Sequence, residues 1–288
     1  METKIEGLPF HNKDILPKYR RDRSLFLLMT VGIPFAAFWL LFVIIPFYHQ
    51  HVDGIVVIHI CFAFFILYNI FGNMFFLKRV DASGKQSNLP AVLKPNWTYC
   101  HLCQLNSPPR SYHCPVCDEC ILKRDHHCMF SGCCIGYHNH RYYLVLVFYI
   151  WIGAIYGVIL EWDYSFQHLG GFGLKSILSL IAPHFAWVLG YVSAYGFLVA
   201  TLHTMGLIVL TLTTYLLVMQ SVCIYRGQTL HERKYNIFSY NLGWKRNFKN
   251  IFGKRWYLVW LSAWLKSPLS GNGLSFQRLE DIEEIKDI

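Results

Sequence analysis

Eight of the ten cysteines fall between Cys100 and Cys134, and their spacing carries chemistry. The run reads Cys100-x2-Cys103, His113-Cys114-x2-Cys117-x2-Cys120, Asp125-His126-His127-Cys128 and Cys133-Cys134; Cys61 and Cys223 lie outside it. In an oxidising compartment such density would mean disulfides, but facing a reducing one, Cys and His at short spacing hold zinc. A structural zinc takes four N/S ligands in a tetrahedron. Neighbouring side chains such as His113 and Cys114, or His126 and His127, point apart, so each pair should be split between ions. One consistent partition is Cys100, Cys103, His113 and Cys120 around one ion, with Cys114, Cys117, His127 and Cys134 around another. Spacing leaves a competitor open, in which Cys100, Cys103, Cys114 and Cys117 share an ion. In the first partition His126, Cys128 and Cys133 remain over, with Asp125 beside them. A thiol with a pKa of ~8.5 becomes a nucleophile when an imidazole takes its proton and a carboxylate orients the ring. Asp125, His126 and Cys128 supply orienter, base and nucleophile; the plainer alternative makes Cys128 one more ligand or a buried thiol.

The elements around this segment are membrane spans. Of 288 residues 54% are apolar and only 15% charged, a balance that cannot clothe a soluble globule. Charges are absent from 24–52, 54–77, 142–160 and 176–225, each long enough to cross hydrocarbon, which takes ~20 residues. The first stretch is too long for a signal-peptide core and reads as a retained anchor. Of the 26 Lys and Arg, all but Lys175 lie before the first span, between the second and third, or after the last. That places both termini and the central segment in the cytoplasm. Parity then allows one crossing after 142–160, expected near 194–225, with 176–187 at the lumenal surface or re-entrant. The expectation is an all-α integral membrane protein with four transmembrane helices and a small cytoplasmic Cys/His-rich zinc domain between the second and third. Its parts are an N-terminal segment 1–23, a hairpin 24–77, the cysteine-rich domain 78–141, a second hairpin 142–225 and a tail 226–288. The net charge of +9 fits an anionic membrane face, and no basic stripe on a soluble domain argues for nucleic acid.

In this context Asp125-His126-His127-Cys128 resembles the signature of the DHHC-type protein S-acyltransferases. Gly136, Asn139 and Tyr143 match that family's Gly-x-x-Asn-x-x-x-aromatic continuation. The segment from Gly227 through Thr229 to Glu232 is similar to its Thr-Thr-x-Glu element, and Tyr240, Gly243, Asn247, Phe252 and Gly253 to its C-terminal aromatic and Asn motif. The resemblance implies the first zinc partition, with two structural Zn2+. It also implies a two-step reaction: Cys128, deprotonated by His126 with Asp125 orienting the ring, takes a long-chain acyl group, palmitoyl above all, from acyl-CoA and passes it to a cysteine of a protein substrate near the membrane. A 16-carbon chain gains ~0.8 kcal/mol per buried methylene, so it belongs among the spans, with Cys128 at the cytoplasmic membrane surface. The family is mostly an endomembrane one, of Golgi or endoplasmic reticulum.

The chain departs from the pattern at Met129 and Phe130 (usually Pro-Trp), at Gly132 and Cys133 (usually Asn-Asn) and at Leu230 (usually Thr). These departures motivate the alternative of a catalytically weak, zinc-stabilised membrane adaptor of the same fold. A RING-like ubiquitin ligase is disfavoured, because its cross-braced spacing leaves no Asp-His-His-Cys run over. Thr229 and Glu232 are expected as polar support near the site or as a solvated helix end, and Asn247 as a tie for the tail. Arg110, Lys123, Arg124 and Arg141 are either contacts for CoA phosphates or ordinary surface charge. Aromatics every four residues from Trp244 to Trp264, among basic residues, predict an interfacial helix or helix pair, or a tail packed on the zinc domain. His59, Asn69, Asn73 and His203, polar within spans, are expected to hydrogen-bond between helices.

Overall fold

A computed structural model of the chain describes residues 9–10, 14–85 and 89–280. Lys4, Lys13 and Lys286, counted above for sidedness, lie outside the described residues. The chain divides into two compact units. One comprises 1–29, 69–146 and 218–288; the other comprises 30–68 and 147–217.

Among the described residues four helices are long and apolar enough to cross a membrane: α1 (Arg20–Tyr48), α2 (Gly54–Arg79), α3 (His140–His168) and, later in the chain, Ala194–Tyr225. Their outward faces keep large apolar side chains such as Phe42, Ile58, Ile159 and Tyr215 exposed, as lipid-facing surfaces require. Pro46 contributes no N–H to the ladder of α1, and just before it the helix widens into a π turn at Leu40–Ile44. After α3 the glycines Gly170, Gly171 and Gly173 interrupt the chain, which then forms α4 (Leu174–Ile181) and α5 (Pro183–Val188). At eight and six residues these are too short to span. The fourth long helix, α6 (Ala194–Tyr225), follows.

The unit built from 30–68 and 147–217 is a helical core in which Trp39, Leu40, Ile44, Tyr164 and Val199 pack together. Two of the polar side chains singled out above bond between helices here: His59 to the Tyr156 hydroxyl, and His203 to Ser165 Oγ at 3.2 Å. In the other unit Asn73 does otherwise, donating to the Asn69 carbonyl one turn back at 2.8 Å, a bond within its own helix.

The unit containing 69–146 and 218–280 holds three antiparallel hairpins: β1 (Thr98–Cys100) with β2 (Leu105–Ser107), β3 (Tyr112–Cys114) with β4 (Glu119–Ile121), and β5 (His126–Cys128) with β6 (Cys133–Ile135). Each turn closes on a left-handed residue in the same place, Gln104, Asp118 and Gly132, at φ 52, 56 and 59°. Aspartate and glycine tolerate that region well. The three hairpins are one unit repeated at an interval of 14 residues. Two short helices, α7 (Leu230–Lys234) and α8 (Trp244–Phe252), complete the unit.

The four-residue aromatic period does not continue as helix to Trp264. Gly253, at φ 80°, ends α8, and a Cβ there would meet the Ser267 and Pro268 carbonyls at 2.5 and 2.8 Å. Beyond it the chain turns back, with Ser267 Oγ donating to the Phe252 carbonyl at 2.6 Å. Trp264 packs against Phe75 and Phe76 of α2, with ring centroids 5.8 and 4.8 Å away, while farther along the tail meets the cysteine-rich segment, Ser270 accepting from the Tyr137 hydroxyl at 2.9 Å. Asn247 is the tie expected of it: its amide donates to the Tyr225 carbonyl at 3.1 Å, fastening the tail to the end of α6.

Candidate active site and metal-binding hairpins

The hairpin turns carry the Cys-x2-Cys pairs, and the next hairpin along supplies the remaining donors. The side chains of Cys100, Cys103, His113 and Cys120 converge, as do those of Cys114, Cys117, His127 and Cys134, with all donor atoms of a group within 4.8 Å of one another. Each group could hold a metal ion. Zinc–ligand bonds of about 2.0–2.3 Å imply tetrahedral edges of roughly 3.3–3.8 Å. His127 Nδ1 lies 3.8, 3.3 and 3.7 Å from the sulfurs of Cys114, Cys117 and Cys134. In the first group His113 Nδ1 stands 3.9 and 3.2 Å from Cys100 and Cys103. The donor sets therefore fit tetrahedral zinc. Knuckle amides support the sulfurs, Cys103 N–H to Cys100 and Cys117 N–H to Cys114, at 3.4 and 3.5 Å. His127 Nε2 donates to buried Asp22, in the first turn of α1, at 2.9 Å, the outer-sphere bond that orients a ligating imidazole. Competing clusters built from Cys100, Cys103, Cys114 and Cys117 are not what the geometry brings together. The grouping follows from the strands: alternate residues of β3 face opposite ways, so His113 serves one group and Cys114 the other.

Cys128 stands apart from both groups. It heads the third hairpin in the place that Cys100 and Cys114 take in the first two, but the position of the second knuckle cysteine is occupied by Ser131. Next to it, His126 Nδ1 donates to Asp125 Oδ2 at 2.7 Å, and the ring also bonds Cys128. The edge of Tyr143 packs on the ring, 4.9 Å between centroids. Burial alone would push the Cys128 thiol up, but the bonds from His126 and Ser131 outweigh it and leave the thiol below its ordinary value. For His126 burial acts downward, and Asp125 and Cys128 reverse it, raising the imidazole to about 9. Asp125, though buried, is held well below the usual carboxylate range by the imidazoles of His140 and His126 and by a main-chain N–H. The three groups thus favour a thiolate beside an imidazolium.

What fixes Asp125 comes from distant parts of the chain. Gln220 of α6 donates to its Oδ2 at 2.8 Å and accepts from His140 Nε2 at 3.1 Å. Leu230, the first residue of α7, donates its main-chain N–H to Oδ1 at 2.9 Å. That N–H is held by a capping box, with Thr229 Oγ1 accepting from Glu232 N–H at 3.2 Å and Glu232 Oε2 from Thr229 N–H at 2.8 Å. Glu232 is in turn gripped at both oxygens by Arg110, at 2.6 Å each. Thr229 and Glu232 are 1% exposed, so the solvated helix end is excluded, and they support the site through Leu230.

Ordinary surface charge is likewise wrong for Arg110, Lys123 and Arg141, all buried. Arg110 spends its donors on Glu232 and the Gly227 carbonyl, and Arg141 donates to the Ser267 carbonyl at 3.1 Å. Gly136 is required where it stands, since a Cβ would come within 2.6 Å of the Leu122 carbonyl. Its N–H donates to Asn139 Oδ1 at 2.8 Å, and Asn139 Nδ2 to the Cys134 carbonyl at 2.9 Å, so this motif ties the second donor group to the start of α3. Gln220 and His140 were not anticipated. The signal for Gln220 was available, as the one glutamine in the uncharged stretch 176–225, where a buried amide needs a partner.

A thiol beside an imidazole–carboxylate pair, on hairpins that could hold metal, in a chain with four helices long and apolar enough to cross a membrane, is the layout of a cysteine-dependent membrane enzyme. The family model for the DHHC palmitoyltransferase matches residues 93–237. The human protein named probable palmitoyltransferase ZDHHC24 is 35% identical over 236 residues, covering 78% of this chain and 80% of that protein. Its zebrafish namesake is 32% identical over 231 residues, 80% and 78% of the two chains. A probable protein S-acyltransferase 12 of Arabidopsis thaliana is 27% identical over 198 residues, 64% and 62%. The chain belongs to the DHHC palmitoyltransferase family, and is a multi-pass membrane protein with protein S-acyltransferase activity.

Proposed function

We propose that Cys128 carries the acyl group between a long-chain acyl-CoA, palmitoyl-CoA in the first place, and cysteines of protein substrates close to the membrane. The observation that supports this most directly is that Cys128 lies outside both donor groups while His126 joins it to a buried, triply bonded Asp125. The thiolate of Cys128 attacks the thioester carbonyl, the C–S bond to CoA breaks, and His126 hands a proton to the departing thiolate. A substrate thiol then gives its proton to His126 and attacks the Cys128 thioester, freeing the enzyme. Asp125 keeps the ring turned toward Cys128 and stabilises its charged form. Cys100, Cys103, His113 and Cys120 would hold one zinc and Cys114, Cys117, His127 and Cys134 the other. In a closed four-ligand site zinc supplies structure rather than catalysis.

The distribution of basic residues supports a cytoplasmic site, and the family an endomembrane location in Golgi or endoplasmic reticulum. The departures behind the adaptor reading remove none of these contacts. At Leu230 the contact to Asp125 uses only the main-chain N–H, which any residue but proline supplies.

Purified protein given labelled palmitoyl-CoA should gain a hydroxylamine-sensitive label that Cys128→Ser abolishes. Label that persists in Cys128→Ser, or never appears in the parent, rejects the reading. The pH dependence follows from the two shifts. With the thiol below its ordinary value, single-turnover acylation is lost only as pH falls through that lowered pKa, so the rise of the rate should lie below the titration of an ordinary thiol. His126→Ala should move the rise upward and slow the plateau by about 10²–10⁴-fold. An unmoved profile, read by quenched-flow labelling, would exclude His126 from the step.

A further inference from the structure

Cys133 belongs to neither donor group and takes no part in the reaction above. Its position is nonetheless specific. The register of β5 and β6 sets Cys133 directly opposite Cys128. Residues directly opposite in an antiparallel pair project on the same face, with Cα atoms about 4.5 or 5.5 Å apart. A disulfide bridges Cα separations of about 4.4–6.8 Å, a range that includes both spacings. One hydroxyl in the connecting turn meets both residues: Cys133 Sγ donates to Ser131 Oγ at 3.3 Å, and Ser131 Oγ donates to the Cys128 carbonyl at 3.4 Å. The turn is held shut by Gly132 N–H donating to the Cys128 carbonyl at 2.8 Å. What Cys133 would give up is small, the Ser131 contact and a 3.7 Å one to the Leu77 carbonyl, since S–H is a weak donor.

We propose that Cys128 and Cys133 form a reversible thiol–disulfide pair, closed by hydroperoxides, which takes the acyl-accepting sulfur out of service. The inference rests on Cys128 being the thiol spared for acyl transfer. A thiolate able to attack a thioester can also attack a peroxide. The Cys128 thiolate attacks one peroxide oxygen and the O–O bond breaks, giving Cys128 sulfenic acid and hydroxide. The Cys133 thiol then displaces the sulfenic oxygen, which leaves as water as the S–S bond forms. A dithiol supplies the two electrons and two protons that restore both thiols. Cys133 thereby acts as the resolving thiol that stops oxidation before the irreversible sulfinic acid. Acylation and oxidation become mutually exclusive, because they compete for one sulfur.

The test uses the full chain, purified reduced and zinc-loaded, and exposed to a few equivalents of hydrogen peroxide. Remaining thiols are blocked with one alkylating reagent; disulfides are then reduced and labelled with a second. The second label should fall on Cys128 and Cys133 with zinc content unchanged. Autoacylation should drop at least tenfold and recover with dithiothreitol. Cys133→Ser, and Cys133→Ala as a second variant, should autoacylate normally when reduced. After peroxide they should fail to recover, with Cys128 gaining two oxygens. Full dithiol recovery in both variants, or second label on the zinc-group cysteines accompanied by zinc loss, overturns the pair. Because the labelling pattern does not depend on acyl transfer, a reduced protein that never autoacylates would count against the function instead.

Discussion

Cys134→Ser is expected to strip the protein of more than one zinc. Cys134 closes the second donor group, yet that group shares its strands with the first: β3 carries His113 for one and Cys114 for the other, and β4 carries Cys120. Structural zinc supplies roughly 10–16 kcal/mol to small domains that do not fold without it, whereas three-residue strands have little stability of their own. Losing one ion therefore loosens the β3–β4 hairpin on which the other depends. Elemental analysis should find well under one zinc per chain instead of two, and autoacylation should fall below detection. Retention of one full zinc with autoacylation within threefold of the parent would mean the groups are independent and the interleaving has no energetic consequence. Cys120→Ser should behave the same way from the opposite end.

The second large effect concerns a pair with no contact to Cys128. Arg110 and Glu232 are buried and doubly bonded, so removing either leaves a charge without its partner, at a cost of about 3–5 kcal/mol. Glu232→Leu alone, or Arg110→Met alone, should lower the midpoint of thermal unfolding by many degrees. The double variant replaces both charges by apolar groups and should regain most of that loss. Its acylation rate should not return with it. Glu232 also accepts the Thr229 N–H, and without that half of the capping box the start of α7 no longer presents the Leu230 N–H squarely to Asp125. We expect the double variant to be near parental in stability and at least tenfold slow in single turnover. Equal recovery of both would show that the pair serves folding alone.

The legible parts of this molecule are those encoded locally. Four spans stand out because hydrocarbon demands long uncharged runs; the cysteine spacing announces two donor groups but leaves two partitions open, between which only the family resemblance chose. The 14-residue interval was open to inspection as well. It takes each ligand of the first group onto its counterpart in the second, and takes Cys114 onto Cys128, where Ser131 stands in place of the knuckle's second cysteine. That offset is why Cys128 lacks the partners a metal would need. Gln220, His140 and the Arg110–Glu232 pair were not legible, because their partners lie 80 to 122 residues away and only the folded chain brings them together. The aromatic period after Trp244 misled for the opposite reason: a helical spacing persisted past Gly253, but the left-handed backbone there ended the helix regardless.

The bond from His127 to Asp22 has a bearing on how the molecule is made. Asp22 emerges from the ribosome 105 residues ahead of the imidazole it steadies, and α1 has to be seated in the bilayer before that carboxylate has a fixed address. An ion held by Cys114, Cys117, His127 and Cys134 would therefore gain the support of Asp22 only once the first helix is in place. A newly made chain with α1 misplaced would hold that ion more weakly.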